Sequence, residues 1–280
     1  MKNRGIGIIL SMVTFVFAIG VACGGFFGAH YGADIGIGWS VAVGIAAFAL
    51  FQVVVGLQLK KRVMKDMERV QLILTDGQKK LQQKMQRWQL RPPGSVQAAQ
   101  KEMMDDTRVF VRAALAETET LRKYRLWVPM IDRQMATAQL QLNWMIRDFK
   151  KVDELMPKAL LMDPTMVAMK LARMQMTDAP LEEITKTYAK GVRRLKYNQN
   201  VLLAACYSWI LVRRGKVDEA FKALTEALKT SDDETLRRNH EALMNNRVAH
   251  FNNSGLGDQW YSLLLEEPKV RMQRPRSVYR

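Results

Sequence analysis

Two apolar runs dominate the start of the chain. They are GIGIILSMVTFVFAIGVAC, residues 5–23, and GWSVAVGIAAFALFQVVVGLQL, residues 38–59, and no Lys or Arg occurs between Arg4 and Lys60. A helix needs about 20 apolar residues to cross a bilayer. One helix through both runs would be about 80 Å long, which is too long for a single crossing. The pattern therefore predicts two transmembrane helices, at about residues 5–27 and 38–59, joined by a short turn.

The basic residues that flank these runs predict their orientation. Lys2 and Arg4 precede the first run, the turn carries no Lys or Arg, and four basic residues follow the second run: Lys60, Lys61, Arg62 and Lys65. The positive-inside rule then places both termini in the cytoplasm and the turn outside. A cleaved signal peptide that leaves a lipidated Cys23 is the alternative for the first run. Gly20 argues against it, because a large aliphatic residue is wanted there.

Glycines recur at every fourth position at the end of the first run: Gly20, Gly24, Gly28, Gly32 and Gly36. We expect Gly20 and Gly24 to lie where two membrane helices pack closely, since small residues let helix backbones approach. We expect the other three in the turn, where glycine supplies a positive φ. A continuous five-glycine helical zipper is the alternative, and a homo-oligomer that uses the same face stays open.

A basic helix is predicted over residues 60–94. Residues 58–92 contain ten basic and three acidic side chains, a net charge of +7. Such a segment beside a membrane suits contact with anionic lipid through Lys60, Lys61, Arg62 and Lys65. Apolar residues recur every seven positions from Met67 to Trp88, but Gly77 and Lys84 break the alternate position after Val63 and Val70. A short coiled coil and a helix packed on the downstream domain therefore both stay open.

A connecting amphipathic helix is predicted next, within residues 95–130. The segment RPPGS, residues 91–95, ends the basic helix, and Ser95 can cap the one that follows. Met103, Phe110, Ala114 and Leu121 then lie near one helix face. Pro129 marks the next boundary.

From residue 131 to residue 268 the chain reads as helix pairs. The clearest pair is VLLAACYSWILVRRGKVDEAFKALTEALKTSD, residues 201–232. It resembles the tetratricopeptide repeat, a helix–turn–helix unit of about 34 residues. The resemblance makes Ser208 the small residue at the helix crossing and Gly215 the end of the first helix. The contacts of the second helix would be Ala220, Leu224 and Ala227.

Three further pairs resemble this repeat more loosely. Residues 165–198 have a turn at 178–180, and residues 131–164 have Pro157 inside the second helix, where it should kink that helix. The last pair ends at Pro268, with Gly255 and Gly257 at its turn and Trp260 and Leu264 in its second helix. Residues 269–280 form a basic tail.

The resemblance implies a stacked helical solenoid whose concave face binds a protein partner. Carried over by position, the groove would be lined by eight side chains: Gln134, Gln141, Trp144, Met169, Arg173, Leu202, Trp209 and Arg213. The alternative is that Trp144 and Trp209 belong to the core. Two N-terminal spans followed by such repeats are also similar to HemY-type bacterial inner-membrane proteins.

Composition narrows the function. The net charge of +16, from 43 Lys and Arg against 27 Asp and Glu, indicates an anionic partner. Two cysteines and three histidines provide no metal set, and we find no phosphate-binding loop, dinucleotide fingerprint or nucleophile motif. We therefore expect no cofactor and no enzymatic activity. The basic tail lacks the interleaved aromatic residues of a single-strand binder, which argues against nucleic acid.

These observations predict an all-α protein with a transmembrane hairpin, a basic juxtamembrane helix and a tetratricopeptide-like solenoid. The first hypothesis is a scaffold in the bacterial inner membrane that presents a cytoplasmic repeat domain to a protein partner. The alternative is a basic structural membrane protein that binds anionic lipid or nucleic acid and uses its repeats for self-association. Ionic strength separates the two, because an electrostatic attachment weakens steeply with salt.

Overall fold

Every regular element that the structure describes is helical, which confirms the predicted all-α class. The structure is a computed structural model and describes residues 12–33, 36–90, 94–125, 127–128 and 130–268. The predicted basic tail, the start of the first apolar run, and Lys2 and Arg4 lie outside the described residues. The chain divides after Leu160 into two compact units, which are taken in turn.

Two helices of the first unit are long and apolar enough to cross a membrane, at residues 15–32 and within 37–88. Helix α1 spans Met12–Phe27 and continues as a π-helical turn over Gly28–Gly32, and helix α2 spans Ile37–Leu90. Only 11% and 17% of the two apolar segments are buried inside the protein. A core helix of a soluble domain would be mostly buried, so the exposure favours an apolar surrounding.

The close contact between α1 and α2 lies one residue away from the predicted position. A Cβ atom added at Gly44 would lie 2.9 Å from the carbonyl oxygen of Ala22, and one at Gly25 would lie 3.2 Å from the Cβ of Ala47. Added Cβ atoms at Gly20 and Gly24 would meet nothing within 4 Å, so these two glycines do not form the seam within the chain. Successive residues of an α-helix lie about 100° apart around its axis. Because Gly25 faces α2, Gly24 lies to one side of the contact.

The remaining glycines of the series also differ from the prediction. Gly28 and Gly32 bound the π-helical turn rather than a loop, and only Gly215 and Gly257 among the described glycines have a positive φ. Gly28, Gly32 and Gly36 therefore do not supply the left-handed backbone expected of them. All three are exposed.

The predicted boundary between the second span and the basic helix does not exist as a structural break. Helix α2 has 54 residues without interruption. Helix α3, Val96–Thr118, begins at Ser95, whose hydroxyl accepts the backbone N–H of Ala98 at 3.1 Å, as the capping prediction requires. A 3₁₀ helix, Glu119–Tyr124, then leads to α4, Ile131–Met145, and α5, Phe149–Leu155.

Helix α3 runs antiparallel to the lower half of α2. The Lys84 ammonium pairs with Glu102 and Asp106 at one end, and Arg69 pairs with Glu117 at the other. Between them Val70 packs with Val111 and Ala114 of α3 and with Leu142 of α4. The lower half of α2 thus packs on the downstream helices of its own chain, which resolves the alternative that the heptad pattern left open.

The second unit begins with two helix pairs. The first consists of α6, Pro164–Met176, and α7, Leu181–Val192, and the second of α8, Val201–Arg213, and α9, Val217–Leu228. Ser208, Ala220 and Leu224 are fully buried, and Gly215 has a φ of 73° after the end of α8. The positions that the sequence assigns to helix contacts in the clearest pair are therefore buried.

The two outer pairs depart from the predicted pattern. Helix α5 is only seven residues long and ends at Leu155, so Pro157 stands beyond the helix instead of kinking it. Helix α10, Glu234–Met244, is followed by 3₁₀ helices at Val248–His250 and Ser254–Leu256 and by α11, Asp258–Tyr261. The predicted last helix is thus a single turn, and Leu264 lies outside it with a φ of 58°.

Candidate functional site

The predicted groove residues of the second unit lie on α6 and α8 but differ in exposure. Met169 and Leu202 are buried, at 6% and 7% exposure, whereas Arg173 and Trp209 are half-buried and Arg213 is exposed. Met169 is therefore part of the core of its helix pair. Arg173 and Arg213 lie near the C-terminal ends of the two helices.

The C-terminal segment of the chain covers the end of α8. One carboxylate oxygen of Glu266 accepts the indole N–H of Trp209 at 2.8 Å, and the other accepts that of Trp260 at 2.9 Å. The Arg213 guanidinium lies 3.4 Å from the same carboxylate and 5.0 Å from the ring centre of Trp209. Trp209 and Arg213 thus already contact residues of their own chain.

An open cavity lies at the opposite ends of these helices. Its volume is about 340 Å³. Three groups of residues line it: residues 163–165 at the start of α6; Asn198, Gln199, Val201 and Leu202 at the start of α8; and Gln259 and Ser262 near the end of the unit. Of the predicted groove residues, only Leu202 lines it. Met162 and Tyr197 adjoin it in sequence and are 70% and 64% exposed. Methionine and tyrosine are enriched at protein–protein interfaces, so these two exposed side chains are suited to contact with another protein.

The other three predicted groove residues lie on α4, in the first unit. Trp144 is 3% exposed and packs edge to face on Phe149 at the start of α5, with ring centres 5.6 Å apart. It is thus buried in the α4–α5 pair, which matches the core interpretation that the sequence left open. Gln134 is half-buried and Gln141 is exposed.

The four basic residues predicted to contact anionic lipid occupy one turn and a half of α2, directly after the apolar segment. The side chains are exposed at Lys60, Lys61, Arg62 and Lys65. Arg62 lines a cavity with a volume of about 590 Å³, and the other three do not line that cavity. The sequence prediction thus identified one residue of this cavity.

Sequence reasoning missed the residues that form the far wall of this cavity. They are Lys123, Tyr124 and Trp127, which follow α3. The signal was present in the segment RKYRLW, residues 122–127, because basic and aromatic residues side by side are typical of a membrane–water interface. Their separation from Arg62 by some sixty residues hides the association from any local pattern.

A buried carboxylate holds this wall in place. Asp66 is 4% exposed, accepts a hydrogen bond from the Tyr124 hydroxyl at 2.9 Å and pairs with the Lys123 ammonium at 2.7 Å. The hydrogen bond from Lys123 holds the pKa of the Asp66 carboxyl below its usual value, although burial partly offsets this effect. Asp66 is therefore charged at neutral pH, and it fixes Lys123 and Tyr124 against α2.

The described residues contain no group of three or more His, Cys, Asp or Glu side chains that could hold a metal ion. Cys206 is fully buried, and burial raises the pKa of its thiol, so it is not a reactive thiolate. Cys23 is exposed on α1.

Comparisons with protein-family models, with curated proteins and with solved structures found no match for this chain.

Proposed function

We propose that the protein is a non-enzymatic scaffold of the bacterial inner membrane that presents a cytoplasmic helical domain to a protein partner. One observation carries the proposal: α2 is a single helix whose first half is apolar and exposed and whose second half is built into a folded core. Residues 37–59 of this helix extend about 34 Å, enough for a hydrocarbon layer of about 30 Å. The helices of the first unit that pack on the second half of α2 would thus lie at the membrane surface.

The orientation has a direct test. Reporter fusions after Ala33 and after Gly94 should report opposite sides, outside for the first and cytoplasmic for the second. Lys2 and Arg4 precede the first span, four basic residues follow the second, and no Lys or Arg lies between Arg4 and Lys60. Two fusions that report the same side would contradict the paired spans. Extraction of the membranes at alkaline pH should leave the full chain in the pellet, since apolar insertion does not depend on charge.

The partner surface that the geometry favours is the 340 Å³ cavity at the starts of α6 and α8. Glu266 covers the other end of α8 through Trp209 and Arg213, whereas this cavity is open and includes Leu202 of the predicted groove. A photo-crosslinking amino acid in place of Tyr197 should trap a protein partner in cells. The same group in place of Lys222, an exposed position on α9, serves as the matched control.

A crosslink from position 197 that is absent from position 222 supports a partner at the cavity. Crosslinks only from position 222 would move the binding surface to α9, and no crosslink from either position would contradict a protein partner for this domain. The fold of both variants is checked by their helical circular dichroism. A second function, anionic-lipid binding, is favoured by the 590 Å³ cavity.

A further inference from the structure

One face of α2 changes from apolar to basic along the 590 Å³ cavity. Val55, Gln58, Leu59 and Arg62 line the cavity from this helix. Their spacing of three, four and seven residues places all four on one side of α2. The same side continues as Asp66 and Val70, which are buried against the downstream helices. The cavity therefore adjoins the folded core, since Leu59 both lines it and packs against a core cluster.

The opposite wall consists of side chains that suit a membrane–water boundary. Lys123, Tyr124 and Trp127 line the cavity from the segment after α3, and Trp127 is 38% exposed. Tryptophan and tyrosine concentrate at the level of the lipid headgroups, because their rings are apolar and each carries a polar group. The cavity thus has two cationic side chains, Arg62 and Lys123, and two neutral hydrogen-bond donors, Trp127 and Gln58.

The cavity has an excess of positive charge. The carboxylate of Asp66 takes up the charge of Lys123, and Tyr124 donates its hydroxyl to the same carboxylate. Arg62 is exposed and forms no ion pair with any carboxylate in the described ranges of the chain. One guanidinium group therefore remains to bind an anion, and a guanidinium offers the paired donors that a phosphate group accepts.

We propose that this cavity binds the headgroup of an anionic phospholipid, with Arg62 on the phosphate and an acyl chain along Val55 and Leu59. The inference rests on the membrane anchoring proposed above. Leu59 is the last residue of the apolar run, so the polar end of the cavity lies at headgroup depth and the apolar end lies within the hydrocarbon layer. Its volume falls in the range of about 300–1,000 Å³ usual for small-ligand sites.

The apolar half of the cavity favours a phospholipid over a free anion as the ligand. A soluble phosphate would contact only the polar end, at Arg62, and would not use the apolar surface that Val55 and Leu59 present to the cavity. A bound phospholipid uses both ends. Basic cavities beside membrane helices on the cytoplasmic side are a recurring form of lipid recognition.

The test uses the full chain in bilayer nanodiscs that contain equal amounts of phosphatidylglycerol and phosphatidylcholine. Native mass spectrometry counts the lipids that stay bound after detergent release. The wild-type chain should retain phosphatidylglycerol in preference to phosphatidylcholine, and Arg62→Gln should lower that preference roughly ten-fold, the effect of losing one charged hydrogen-bonding partner. Trp127→Leu should lower it as well.

Lys61→Gln is the matched control. It removes the same charge from the adjacent position, but Lys61 does not line the cavity. An unchanged preference in Lys61→Gln together with a loss in Arg62→Gln supports the site. Equal losses would show a diffuse attraction of basic residues to the bilayer, and no loss in Arg62→Gln would show that the cavity is not used; either result overturns the proposal.

Adding excess inorganic phosphate tests whether the cavity binds a free phosphate anion instead of a lipid headgroup. Displacement of phosphatidylglycerol by phosphate alone would overturn the lipid assignment in favour of a free-anion site. Failure of the wild-type chain to enter the nanodiscs would instead overturn the membrane anchoring itself. The two failures are therefore distinguishable.

Discussion

Gly77 shows how a single residue positions the two longest helices of the first unit. A Cβ atom added at Gly77 would clash with the ring of Phe110, because the ring lies directly on the glycine backbone. In an exposed helix Gly→Ala stabilises by about 1 kcal/mol. Here we expect Gly77→Ala to lower the free energy of unfolding by about 1–3 kcal/mol, since the ring must move.

A double-mutant cycle in detergent micelles checks this expectation by thermal unfolding. In a Phe110→Ala background the space above Gly77 is empty, so Gly77→Ala should become stabilising by about 1 kcal/mol. The sign of the effect should thus reverse. The same sign in both backgrounds would contradict the contact.

Asp66 makes the stability of the first unit depend on pH. Its folded-state pKa is lowered by the Lys123 ammonium, so its contribution is present above its unfolded pKa of about 4. The contribution is lost as the pH falls through the lower folded-state pKa. We expect Asp66→Asn to lower the free energy of unfolding by about 1–3 kcal/mol at pH 7, with a smaller difference from wild type at about pH 2–3.

Asp76→Asn provides the matched control on the same helix. Asp76 is 64% exposed and pairs with Lys80 at 2.8 Å, and such surface pairs contribute about 0–1 kcal/mol. Melting curves of both variants between pH 7 and the acid range separate the two cases. A difference between Asp66→Asn and wild type that stays constant with pH would show that the ion pair is not the cause.

At the scale of elements, the sequence predicted those helix ends and turns that are determined by residues close by in the chain. The bounds of α8 and α9 follow from the alternation of small and large residues and from Gly215, whose left-handed φ of 73° ends the helix. The turn at 178–180 likewise separates α6 from α7. These signals lie within a few residues of the structures they determine.

Features that depend on distant residues could not be predicted in this way. Gly77 and Lys84 looked like breaks in a heptad pattern, but Phe110 fills the space at one and Glu102 and Asp106 neutralise the other. The cavity beside Arg62 has the same origin, because its second wall comes from residues after α3. Periodicity along one helix does not reveal what another helix supplies.

The packing of α8 against α9 predicts how a large side chain at their crossing changes the stability of the pair. Ala220 is fully buried, so Ala220→Trp should overpack the crossing and lower the free energy of unfolding by about 1–3 kcal/mol. Lys222→Trp places the same side chain at an exposed position of α9 and should leave the melting temperature nearly unchanged. Equal melting temperatures for the two variants would show that Ala220 does not lie at a close crossing.

At the scale of the whole molecule, α2 belongs to two environments. Its first half carries exposed apolar side chains, including Ile45 at 64% and Leu50 at 67%, that suit a bilayer. Its second half contributes Val70 to one core cluster and Leu59, Val63 and Met67 to another. The basic segment is therefore part of the folded core of the first unit, and a cut at residue 94 would remove its packing contacts.

This dual role predicts how the chain can be shortened. A fragment that begins at Gln58 keeps the lower half of α2 and should be soluble and monomeric in size-exclusion chromatography. A fragment that begins at Ser95 loses the partner of Val111, Ala114 and Leu121, which are all fully buried in the full chain. We expect it to aggregate, because those side chains would form a contiguous exposed apolar patch. Circular dichroism should show a cooperative melt only for the longer fragment, whereas equal solubility and equal melting of both fragments would show that α2 is not part of the core.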